Sequence, residues 1–117
     1  MQPLRSVLMA LADRADVAAA VVVSDDGLVV ESSLSEQFDA EELAALTTSA
    51  GRTLAALARA AQHGELHLAV TESATGTFVI QRLPSGANLL VLAAPDGDLG
   101  TLLYDLRRHA PALAPLL

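Results

Sequence analysis

The sequence predicts one α+β domain in which helices and antiparallel strands follow the order α-β-β-α-β-β-β-α. Three observations point there. The chain has 117 residues of which 52% are hydrophobic, enough for one core and too few for two. Short runs rich in Val and Leu alternate with Asp/Gly corners, the pattern of strands joined by tight turns. Three other stretches repeat their apolar residues at helical spacing, and one of them is unusually long. Residues 1–117 are read as a single domain, with 112–117 as a short apolar tail.

Leu4, Val7, Leu8 and Leu11 fall at i, i+3, i+4 and i+7, the stripe of a short amphipathic helix beginning near Pro3. Asp13, Arg14 and Asp16 interrupt this apolar segment before it reaches the length of an export signal, so a cytoplasmic chain is expected. "VAAAVVVS" and "LVVESS" follow as two strands around Asp25, Asp26 and Gly27. An EF-hand loop would continue its oxygen ligands past the glycine, whereas this segment resumes as a strand; the two carboxylates mark a hairpin corner.

In "QFDAEELAAL", Asp39 stands three residues before Glu42, as in a capping box, and Phe38 and Leu43 can close a hydrophobic staple. A helix is expected from Ala40 to Gly64, roughly 35 Å long at about 1.5 Å per residue. Leu43, Leu46, Ala50, Leu54 and Leu57 form one stripe, expected to face the sheet, with Glu41, Arg52, Arg59 and His63 nearly opposite. Between these faces lies a flank of small side chains, Ala44, Thr47, Thr48, Gly51, Ala55 and Ala58, where a second backbone could approach closely. An interior glycine costs about 1 kcal/mol relative to Ala and so calls for a packing reason.

"ELHLAVTES", "GTFVIQRL" and "ANLLVLAA" read as an antiparallel meander with corners near Gly76 and Gly86. Asp98 can cap a last helix carrying Leu99, Leu102, Leu103, Leu106 and Ala110, which Pro111 is expected to end.

The chemistry-bearing residues exclude more than they suggest. No catalytic, cofactor-binding or metal residue is assigned, and the chain is read as no enzyme. It has no Cys and no Lys, which removes thiolate and Schiff-base chemistry, cysteine-ligated metals and the P-loop lysine. A net charge of −7 gives no reason to approach nucleic acid or an anionic membrane, and no segment is apolar for long enough to insert in one. His63 and His67 imitate the spacing of a zinc-protease helix, but Gly64 separates a helix end from a strand.

The order of elements resembles the roadblock (dynein light-chain-type) family over nearly the whole chain. "VVVSDDGLVVES" is similar to the family's first hairpin, and "GTFVIQRLPSGANLLVLAAPDGDLGTLLYDLRR" to its meander and closing helix, with a Leu-Gly pair at that helix's start. The resemblance implies a five-stranded antiparallel sheet, the long helix on one face and the two terminal helices on the other. It also implies a homodimer, without cofactor, that regulates or scaffolds a small Ras-like GTPase by protein–protein contact. The expected dimer interface combines a third strand over residues 66–73, carrying Leu66, Leu68 and Val70, with the small flank Ala44, Thr47, Thr48, Gly51, Ala55 and Ala58. Arg52 and Arg59 are the candidate GTPase contacts. A small-molecule sensor of PAS or GAF type and a bare assembly scaffold are the alternatives; one Tyr, two Phe and no Trp leave the sensor few large side chains to shape a pocket.

Overall fold

A computed structural model describes residues 4–113, with side chains as far as Arg108. Its elements are α1 (Leu4–Ala12), β1 (Val17–Val23), β2 (Val29–Ser33), α2 (Ala40–Ala60), β3 (Leu68–Ser73), β4 (Gly76–Arg82), β5 (Asn88–Ala93) and α3 (Leu99–Leu113). Pro3 and residues 114–117 of the apolar tail lie outside the described residues; Ala112 and Leu113 belong to α3.

The five strands form one antiparallel sheet in the order β2-β1-β5-β4-β3. Two local meanders are thus zipped together by the long-range pair β1–β5. Alternation along β1 and β5 divides the interior into two cores. Ala20, Val22, Leu89 and Val91 point to one side, where Leu8 of α1 and Leu102 and Leu106 of α3 cover them. Val21, Val23, Ile80 and Leu90 point to the other, under Ala44 of α2. A sheet buried on both faces explains why β1 and β5 read as continuous apolar runs.

Local chemistry fixes the element ends. The Gly27 N–H donates to the Ser24 carbonyl at 3.0 Å, the Ser24 N–H donates to the Leu28 carbonyl at 2.9 Å, and Gly27 adopts φ +90°. Asp25 and Asp26 therefore sit at a hairpin corner. Asp39 Oδ1 accepts from the Glu41 and Glu42 N–H groups at 3.0 and 3.2 Å and caps α2. At α3, the Thr101 N–H donates to Asp98 Oδ1 at 3.1 Å, and that bond, ahead of the Thr101 hydroxyl, lowers the Asp98 pKa.

Four expectations need correction. First, α2 stops at Ala60 rather than Gly64, and its 21 residues span about 32 Å. Gln62 takes the left-handed conformation at φ +64°, the Gln62 N–H donates to the Arg59 carbonyl and the His63 N–H to the Ala58 carbonyl at 2.8 Å, which together close a Schellman turn. Second, β3 begins at Leu68, so Leu66 precedes the strand. Third, α3 runs past Pro111 to Leu113. Fourth, α2 is rolled the other way about its axis. Ala44, Thr47, Thr48, Gly51 and Ala55 are its buried residues, while Leu46 and Leu57 are 61% and 62% exposed.

The roll has a steric cause. A Cβ on Gly51 would stand 2.9 Å from Asn88 Oδ1 and 3.2 Å from an Arg82 guanidinium nitrogen. Asn88 is fully buried at the start of β5, so the helix can lie over these polar groups only where it carries no side chain. Leucines in the same place would separate helix from sheet and strand two polar side chains in an apolar layer.

Candidate functional site

The surfaces open to a partner follow from that orientation. β3 is a terminal strand of the sheet and presents an unpaired backbone edge. Its register with β4 places Leu68 and Val70 opposite Gln81 and Val79, on the α1/α3 side. Leu68 packs there against the core; Val70 remains 44% exposed.

The exposed leucines of α2 lie on the flank that faces away from the β1–β2 corner. Thr48 approaches Gly27, and Arg52 donates to the Asp25 carbonyl at 2.6 Å, so this flank of the helix faces the β1–β2 corner. Leu43 and Ala50, on the opposite flank, pack against the core of Val21, Val23, Ile80 and Leu90. Leu46 and Leu57 extend the second flank outward, away from the β1–β2 corner. Leu46 and Leu57 thus form an exposed apolar ridge along α2.

Of the small flank expected to meet a partner, Ala44, Thr47, Thr48, Gly51 and Ala55 are taken up by the chain's own sheet, and Ala58 is half-buried. A second helix could reach them only by displacing that sheet. Leu66 is half-buried ahead of β3. Sequence reasoning located the close approach at Gly51 but not its occupants, Arg82 and Asn88, because these arrive from 31 and 37 positions along the chain, across the sheet.

Arg52 and Arg59 are both exposed, as expected. Their surroundings differ: Arg59 pairs with the Glu65 carboxylate at 3.8 Å, whereas Arg52 is held by a backbone carbonyl. His63 and His67 are exposed on either side of Gly64 and share no helix. Among the described residues no three His, Asp or Glu side chains gather as a metal site, and no helix is long and apolar enough to cross a membrane.

The strongest electrostatic cluster is structural. Arg14, after α1, donates to both oxygens of Asp16 at 2.8 and 2.7 Å and to Asp105 of α3 at 2.5 Å. Hydrogen bonding from Arg14 lowers the Asp16 pKa against the opposing effect of burial, and the two carboxylates raise that of Arg14. Beside it, Gln81 donates to the Leu106 carbonyl at 2.7 Å. These bonds tie α3 to the α1–β1 connection and to β4. With every strong donor already engaged, the cluster has the geometry of a clasp.

The comparisons with known proteins agree with the architecture. A family model, Roadblock/LC7 domain, matches residues 5–93. The fold of Myxococcus xanthus MglB superposes with a TM-score of 0.87 at 19% identity, covering 97% of this chain and 86% of that one. A Roadblock/LC7 domain from Streptomyces avermitilis is 30% identical over 96% of this chain and 99% of its own, with a TM-score of 0.68. The gliding protein MglB of Thermus thermophilus gives 0.82 at 17% identity, covering 97% of this chain and 87% of its own. No curated protein sequence matches the chain. A family match over most of the sequence, carried on the expected sheet and helix order, identifies the chain as a member of the Roadblock/LC7 family.

Proposed function

We propose that the protein is a non-catalytic, homodimeric regulator or adaptor of a small Ras-like GTPase, acting in the cytoplasm through protein–protein contact. The observations that carry the reading are an unpaired β3 edge and an exposed ridge of Leu46 and Leu57 on α2. An uncovered edge beside apolar side chains favours pairing with a second copy, and a two-fold axis along β3 would extend the sheet and bring the two α2 helices side by side. The name of one solved relative, "MglB with tetrameric arrangement", describes a larger assembly and supports association as the working state.

Such a dimer would act on a GTPase by ordering its switch segments or by presenting an arginine to the developing charge. Arg52 and Arg59 are the arginines offered by α2. The experiment takes a small Ras-like GTPase and measures binding and single-turnover hydrolysis with and without the protein. Binding with faster hydrolysis establishes an activator, binding alone a scaffold, and no binding removes the reading. Replacing Arg52 and Arg59 together by Glu should weaken the complex while changing stability by less than about 1 kcal/mol, as exposed charges contribute little to folding.

A further inference from the structure

We propose that Arg52 and Arg82 form a two-pronged receptor for the carboxylates of an acidic segment on a protein partner, framed by the middle of α2 and the tips of the β1–β2 and β4–β5 hairpins. The proposal rests on the regulator reading only for the kind of protein that docks; the chemistry is that of the site itself.

The two arginines come from different elements and both adjoin Gly51, Arg52 exposed and Arg82 half-buried. Arg52 is its neighbour on α2, and an Arg82 guanidinium nitrogen lies 3.2 Å from the place a Gly51 Cβ would occupy. A continuous set of contacts links them. Arg82 donates to Asn88 Oδ1 at 3.5 Å, Asn88 donates to the Gly86 carbonyl at 3.5 Å, Gly86 abuts Asp25, and Arg52 donates to the Asp25 carbonyl at 2.6 Å. Both arginines are thus positioned by this corner of the fold.

Their acceptors are all uncharged. The chain carries fourteen Asp and Glu against seven Arg, so a surface arginine has carboxylates to choose from. Arg5 and Arg59 each pair with one and Arg14 with two, while Arg107 and Arg108 of α3, on the other face of the sheet, share with Arg52 and Arg82 the lack of an ion pair among the described residues. Among the described residues no carboxylate lies within ion-pair distance of Arg52 or Arg82. Asp25 offers its carbonyl, and the carboxylate of Asp26 is bonded by the Ser24 hydroxyl. Two oriented guanidinium groups without a counter-ion, on a molecule of net charge −7, are complementary to an anion brought by a partner.

The corner favours carboxylates over phosphate. Asp25 and Asp26 stand at its rim, both exposed, and repel a compact dianion more strongly than singly charged carboxylates spaced along a flexible segment, which can seat one at each guanidinium. Arg59 lies outside the receptor because Glu65 already neutralises it.

The test titrates the full chain with a synthetic polyglutamate peptide, and separately with inorganic phosphate, while the arginine Nε–Hε resonances are followed by NMR. Polyglutamate should shift the Arg52 and Arg82 signals together and saturably, and leave Arg59 behind. Arg52→Gln and Arg82→Gln should each weaken binding about tenfold, the scale of one charge-assisted hydrogen-bonded contact, and Arg59→Gln should not. If Arg82→Gln fails to fold, the wild-type shifts and Arg52→Gln, which sits on the exposed side of α2, decide the matter. Absence of a saturable response at the two arginines, an equal response at Arg59, or equal binding of phosphate overturns the proposal. No GTPase enters the titration, so a failure of the regulator reading leaves its outcome untouched.

Discussion

Gly51 carries more of this structure than any other single residue. It admits Asn88 and Arg82 beneath α2, and the orientation of the helix follows. Gly51→Ala should destabilise the fold by roughly 1–3 kcal/mol, the usual range for overpacking, because fully buried Asn88 has little room to retreat. Gly51→Leu should abolish folding rather than report on assembly, and Ser49→Leu, on the exposed side of the helix, should be tolerated; urea denaturation separates the cases. Gln62 illustrates the opposite situation, a side chain in a conformation that suits glycine. Gln62→Gly is expected to raise stability by about 1 kcal/mol by relieving the left-handed strain, measured in the same assay. The Arg14–Asp16–Asp105 clasp makes stability depend on acidity. Asp16 has a lowered pKa in the folded state, so its contribution is complete above the unfolded carboxylate value near 4 and is lost as pH falls through the lower, folded value. Thermal unfolding followed from neutral pH downward should show a drop in midpoint below about pH 4 that is shallower in Asp16→Asn.

Among the elements, α2 shows how a stripe of leucines can mislead. Hydrophobicity alone would bury Leu46 and Leu57, yet small residues pack closer to a sheet and leave the larger side chains beside it. Exposed leucines on such a helix are available to a second molecule. Replacing both Leu46 and Leu57 by Glu should convert the proposed dimer to monomer with little loss of monomer stability, since both are mostly exposed in the single chain. Light scattering coupled to size-exclusion chromatography reads the result: a mutant that still elutes as a dimer places the interface elsewhere, and a wild-type monomer near 12.1 kDa at tens of micromolar, a concentration of about the weak end of specific association, removes it. The two sheet edges differ in the same sense. β2 carries a register shift opposite Val22 and Val23 and its Glu31 pairs with Arg5, features that blunt an edge, whereas β3 pairs with β4 without a shift from Leu68 to Ser73.

At the scale of the molecule, the two-core sandwich presents the β3 edge and the α2 ridge as surfaces open to a second chain. The protein alone should neither bind nor hydrolyse GTP, because no glycine-rich phosphate loop and no lysine accompany the fold. Calorimetry with GTP would show this directly, and saturable binding at micromolar nucleotide would contradict the regulator as described. A dimer built along β3 would double every exposed feature of α2, including the arginine corner, so that one assembly could meet a partner with two equivalent surfaces.

The sequence by itself determined what is local. Capping by Asp39 and Asp98, the Asp25–Asp26–Gly27 corner and the turn at Gly86 depend on residues a few positions apart, and each appears where its chemistry placed it. The roadblock resemblance extended this to the sheet and its two covered faces. The tertiary structure decided the rest. Which flank of α2 faces the sheet depends on Asn88 and Arg82, which no helical periodicity within Ala40–Ala60 can encode. The end of α2 depended on a Schellman turn that Gln62 closes despite its side chain. The arginine corner, likewise, is assembled from α2 and two hairpins, and a site made by contact between distant segments exists only once the backbone hydrogen bonds and the two cores have brought those segments together.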